Sequence, residues 1–146
     1  CNAIHQQLDG WAKTLPADVT FIRLPVDITE HDEAQQRLYF TLEALGSLDR
    51  AHRVFVDIHR NKKKLTTDSA VATWARAQGN STTAWRKAYN SSATKAKVAA
   101  AQAAFERFGL NGVPVIVING RAAIPAGNLD YAVPRANQLI TQLLQQ

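Results

Sequence analysis

The chain has 146 residues, 46% of them hydrophobic and 20% charged, which suits one globular domain with a sizeable core. No apolar run approaches the ~18 residues that span a membrane as a helix. The net charge is +5 and the pI about 9.7, but the only basic cluster, Asn61-Lys62-Lys63-Lys64, is short and has no interleaved aromatics, so a nucleic-acid footprint is not expected.

In chain order, Ile4, Leu8 and Trp11 fall at i, i+4, i+7 and predict a helix over 2–13 with one apolar stripe. Pro16-Ala17-Asp18 makes a turn, and 19–24 reads as a strand ended by Pro25. Val19, Phe21 and Arg23 would share one of its faces, and Thr20, Ile22 and Leu24 the other. From Thr29 to about Asn90 the signals are helical. Thr29 with Asp32 opens a helix that carries Leu38, Leu42 and Leu45 to a Gly46 cap. A second helix runs over 48–60 with Val54, Phe55 and Ile58 inward. Thr67 or Asp68 caps a third, which holds Val71, Trp74 and Ala75 and ends at Gly79; Ser81 caps a fourth through Trp85 and Tyr89. The tryptophans and Phe55 read as core of this block. Asn80-Ser81-Thr82 and Asn90-Ser91-Ser92 match the glycosylation pattern and are read as helix caps.

Ser91 or Ser92 opens a long alanine-rich helix to Phe108, stopped by Gly109. Gly112-Val113-Pro114 then enters the β-branched run Val115 to Ile118. Proline cannot donate to a ladder, so it should open the strand. Asn119-Gly120 turns the chain, and 121–124 pairs back as a hairpin. A final helix over 130–145 points Ala132, Leu139, Ile140 and Leu143 to the core. Helix, strand, helical block, long helix, two strands and helix suggest a small mixed sheet with a helical insertion.

One cysteine, Cys1, forbids an internal disulfide and a multi-cysteine metal site. His5 is one turn beyond it and could face the thiol, or could be a surface histidine. His31, His52 and His59 lack metal-ligand spacing, so no metal is expected.

These residues, in this order, resemble the DsbA family of thioredoxin-fold disulfide oxidoreductases. Cys1, Ile4, Leu8 and Trp11 match the family's active-site helix without a gap if Cys1 is the second cysteine of Cys-X-X-Cys. Leu15-Pro16-Ala17-Asp18-Val19, Ala44 to His52, Trp85 to Ser91 and Gly112-Val113-Pro114 also resemble it; the last is similar to the family's cis-proline loop. The resemblance implies an α/β, thioredoxin-like fold with an inserted all-helical subdomain. The strand or strands before the active-site helix would be missing, as in a sequence that begins partway into a longer chain. The expected division is 1–28 and 91–146 for the thioredoxin-like parts and 29–90 for the insertion.

By that register Cys1 is the resolving cysteine, Val113 and Pro114 bind substrate beside it, and His5 stands where the family has an acidic residue. The implied activity is thiol:disulfide exchange that introduces disulfides into exported proteins, without a cofactor. Its implied setting is the bacterial periplasm, with reduced proteins or peptides as substrates and a membrane disulfide oxidase as partner. Nucleic acid is not an expected partner. The alternative is a redox-inactive thioredoxin-fold peptide-binding module. Two further readings of Cys1 stay open: the nucleophile of the other register, with Ile4 in the resolving place, or the first residue of a processed lipoprotein.

Exchange needs a thiolate and access to it. A cysteine at a helix N-terminus gains both from free N–H groups and from the dipole. Alone, Cys1 could form a mixed disulfide but not shuttle two electrons.

Overall fold

A computed structural model of the chain describes residues 2–26 and 33–146. Its backbone groups into two compact units, one from Cys1–Ile22 and Phe108–Gln146, the other from Arg23–Arg107.

The first unit holds helix α1 (Asn2–Ala12), strands β1 (Val115–Ile118) and β2 (Ala122–Pro125), and helix α7 (Leu129–Leu144). β1 and β2 form an antiparallel hairpin in the register Val115 to Pro125 and Ile118 to Ala122. Asn119 and Gly120 turn it with φ of 50° and 66°, the left-handed pair that Asn-Gly adopts at low cost. Asn128 caps α7, its side-chain oxygen accepting from the Asp130 N–H at 3.1 Å. The apolar stripe of α7, Leu129, Ala132, Ala136 and Ile140, packs with Ile118, Ile124, Ala126 and Trp11 in one core. Ile4 and Leu8 line that core too, so the stripe expected for the first helix is the one it buries. Trp11 meets Phe21 edge-on at 6.0 Å, and its indole N–H donates to the Asn137 side-chain oxygen at 2.9 Å.

The strand expected over 19–24 is only half realised. Its burial alternates as expected: Val19, Phe21 and Arg23 are half-buried, whereas Thr20, Ile22 and Leu24 are exposed. Yet this segment joins no ladder among the described residues. Extended chain becomes a strand only when a neighbour takes its N–H and C=O groups, and the described sheet contains only β1 and β2. The expected mixed sheet is, over these residues, a two-stranded antiparallel one.

The second unit is helical: α2 (Glu33–Ala44), α3 (Ala51–Phe55), α4 (Asp68–Ala77), α5 (Thr82–Tyr89) and α6 (Ser92–Arg107). Leu38, Leu42, Val71, Trp74, Trp85 and Tyr89 are its buried centre. Each such side chain contributes roughly 1.5–3 kcal/mol of burial. Thr67 and Ser81 cap α4 and α5 as expected, accepting from Ala70 N–H at 3.1 Å and Ala84 N–H at 3.4 Å. The Thr29–Asp32 helix start and the Phe55 side chain lie outside the described residues.

Two features differ from the sequence reading. The helix expected over 48–60 changes pitch twice, with a 3₁₀ turn at Leu48–Arg50, α-helix at Ala51–Phe55 and a wide π turn at Val56–Arg60. The wide turn coincides with Asp57, a buried carboxylate that accepts from Trp74 Nε1 and Asn61 Nδ2, both at 2.8 Å. A polar group taken into the core must find donors there. Periodicity of apolar residues does not report such a requirement.

The second difference is the boundary near 90. The long helix groups with the helical unit, because it packs along α2 and buries Thr94 and Ala101. Thr94 and Ser91 stitch it to the end of α5, each hydroxyl donating to the Ala88 carbonyl at 2.8 Å.

Arg37 links α2 to the α4–α5 pair. Its guanidinium lies 3.9 Å from the centre of the Tyr89 ring and donates to the Tyr89 carbonyl at 2.9 Å. The Tyr89 hydroxyl in turn donates to Asp68 at 2.7 Å. Burial and the hydrogen bond to Asp68 push the phenol well above its ordinary range.

Candidate active site

The loop Gly112-Val113-Pro114 ends where β1 begins. The Val113–Pro114 peptide bond is cis. The Pro114 carbonyl accepts from the Ala126 N–H at 3.0 Å, which extends the hairpin pairing by one step. Val113 projects outward at 50% exposure, and neither its N–H nor its C=O has a backbone partner among the described residues. An exposed apolar side chain beside free backbone groups can add an extended peptide as an extra strand. Nothing in the local sequence marks Ala126 as part of this loop. Its complete burial beside a hairpin end is a tertiary property.

α1 begins at Asn2, immediately after Cys1 in the chain. Its first turn carries no acidic side chain that would oppose a thiolate. Ile4, Leu8 and Trp11 bind this helix into the core that holds the hairpin, and Asn137 fixes the far end through Trp11. Asn137 was also missed. The signal was a polar residue flanking the α7 stripe at Ala136. Cys1 and the His5 side chain lie outside the described residues, as does the expected contact of Cys1 with Val113 and Pro114. Among the described residues no group of three or more His, Cys, Asp or Glu side chains is placed to hold a metal. No helix among them is long and apolar enough to cross a membrane.

A helix and a hairpin sharing one core, with a cis-proline before the hairpin and a helical unit inserted between, define a thioredoxin-like protein with a helical insertion. Residues 1–133 match the family model for the DSBA-like thioredoxin domain, and the chain belongs to that family. It is 32% identical to the thiol:disulfide interchange protein DsbA of Bordetella parapertussis over 149 residues, covering 100% of this chain and 70% of the relative. The DsbA of Pseudomonas syringae pv. tomato is 29% identical over 144 residues, covering 96% of this chain and 67% of that protein. Among solved structures, Pseudomonas aeruginosa DsbA superposes with a TM-score of 0.91 at 30% identity, over 99% of this chain and 78% of that one. A single-residue variant of that same protein gives 0.92 at 29%, over 100% and 81%. The chain is thus DsbA-like in sequence and fold, and these relatives favour an oxidoreductase over the redox-inactive binding module.

Proposed function

We propose that this chain supplies the resolving half of a DsbA-type exchange site, with Cys1 as the resolving thiol and Val113–Pro114 as the substrate platform. The observation that carries the reading is a half-exposed Val113, whose backbone groups have no backbone partner among the described residues, together with an acid-free first turn of α1 built on the core that holds the hairpin. In the full reaction a substrate thiolate attacks the site disulfide and forms a mixed disulfide. A second substrate thiolate then displaces the site sulfur. The substrate gains a disulfide, and two electrons with two protons reduce the site to a dithiol. That cycle needs a cysteine three positions before Cys1. Cys1 attacks the mixed disulfide when substrate is released in the opposite direction.

The substrates would be reduced exported proteins or peptides, and a membrane oxidase would reoxidise the site in the bacterial periplasm. A solved complex of a DsbA with the peptide PWATCDS, 21% identical to this chain, shares the fold. An extended peptide of that kind would pair with the Val113 backbone. His5, one turn past Cys1, would modulate the thiol.

The test reads what the gene encodes before Cys1 and, where a Cys-X-X-Cys is completed there, follows oxidation of a dithiol peptide by the longer protein. Turnover should be lost in Cys1→Ser. In Val113→Asp it should fall through a raised KM, because a charge is set in the apolar contact. Turnover that survives Cys1→Ser, or a residue other than cysteine three positions upstream, would end the dithiol reading.

A further inference from the structure

Two stretches of the chain are strongly basic: residues 69–105 carry five Lys and Arg and no acid, and residues 50–64 carry a denser run. Residues 50–64 contain six Lys and Arg against the single acid Asp57, whereas the rest of the chain carries eleven of each sign. The fold turns the end of this run, residues 59–64, outward. After the π turn the chain is pinned by Asn61 N–H to the Val56 carbonyl at 3.0 Å and Lys63 N–H to the Asp57 carbonyl at 2.8 Å. Lys62 takes a left-handed φ of 57°, and buried Leu65 then anchors the chain in the helical core. Between these anchors Arg60, Lys62, Lys63 and Lys64 are all exposed. Asp57 neutralises only Lys63, at 3.4 Å. Arg60, Lys62 and Lys64 meet no carboxylate among the described residues.

We propose that this basic turn docks the protein electrostatically on an anionic phospholipid surface. Each Lys or Arg held near such a surface adds about fivefold to the attraction, and three of those in the turn are unpaired among the described residues. Three of the four cations in the turn are lysines, point charges that need no oriented partner, unlike the bidentate fork of arginine. No Phe, Tyr or Trp lies between 56 and 64 to stack on bases.

Cosedimentation of the protein with phosphatidylglycerol-containing vesicles tests it. Binding is expected at about 50 mM salt, sharply weaker at about 300 mM, and absent on pure phosphatidylcholine. At roughly fivefold per basic residue, the triple variant R60Q/K62Q/K64Q should bind on the order of 100-fold more weakly. Its circular dichroism should be unchanged. The control R86Q/K87Q/K95Q removes as many charges from elsewhere in the helical unit and should bind nearly as the parent does. Equal weakening by both triples, no binding to anionic vesicles, or tighter salt-dependent binding to duplex DNA than to vesicles would each overturn the proposal.

Discussion

Replacing Asp57 tests whether a buried carboxylate organises the helical unit. Its oxygens accept from Trp74 Nε1 and Asn61 Nδ2 at 2.8 Å and from Lys63 Nζ at 3.4 Å. Trp74 is 4% exposed, so Asp57→Ala takes the acceptor from a buried N–H, and an unsatisfied buried donor costs about 1–3 kcal/mol. The lost Asn61 bond adds about 1 kcal/mol. Lys63 is half exposed and rehydrates, so its ion pair adds almost nothing. The expected loss is therefore about 2–4 kcal/mol. Asp57→Asn keeps one acceptor oxygen and should lose less.

The pH dependence follows from the same contacts. Burial works to raise the pKa of Asp57, but the hydrogen bonds from Asn61, Trp74 and Lys63 and the Lys63 charge outweigh it, holding the carboxyl below 3.8. A folded pKa below the unfolded one means that the contribution is present in full above about pH 4 and is lost as pH falls through the folded value. Urea denaturation followed by circular dichroism and tryptophan fluorescence, at neutral pH and between about pH 4 and 2.5, measures both effects. A loss under about 0.5 kcal/mol in Asp57→Ala, or an acid dependence in Asp57→Asn equal to the parent's, would refute this account of the network.

Tyr89, its phenol raised by burial and by Asp68, should be missing from the ordinary tyrosine step near pH ~10 in a spectrophotometric titration. Because its folded pKa is the higher one, its stabilising contribution is present below the unfolded value and lost as pH rises through the folded one; a full complement of tyrosines ionising together in the folded protein would contradict this. Leu42→Ala, at a position with 0% exposure, should cost about 2–5 kcal/mol in chemical denaturation. Asn137→Ala removes the acceptor of the Trp11 indole and should cost about 1 kcal/mol, with a change in Trp11 fluorescence. Ser81→Ala should cost about 0.5–2 kcal/mol through loss of the α5 cap.

Much of the fold was legible because it rests on local physics. Ile4, Leu8 and Trp11 repeat at helical spacing, Thr67, Ser81 and Asn119-Gly120 punctuate the chain, and alternation from Val19 to Leu24 anticipates which side chains turn inward. Each is decided within a few residues, by periodicity or by a side chain reaching its own backbone. The candidate loop was legible for a different reason. Nothing local distinguishes Val113-Pro114 from any other strand start, and only its resemblance to a family loop singled it out.

Tertiary structure decided the rest. Whether 19–24 becomes a strand depends on a neighbour to share hydrogen bonds, and none lies among the described residues. The long helix reads as part of the C-terminal half by order, yet packs along α2 with the helical unit, because small faces such as that of Ala101 take whatever partner fits. Nothing in the sequence around Asp57 marks it as buried, and its hydrogen bond from Trp74, seventeen positions on, is what holds it in the core. Ala126 and Asn137 matter only through Pro114 and Trp11, groups far from them in the chain. A sequence records what each residue prefers among its neighbours. Which distant group completes a hydrogen bond, a ladder or a core is settled only when the chain has closed on itself, since burial makes an unmet donor or acceptor costly.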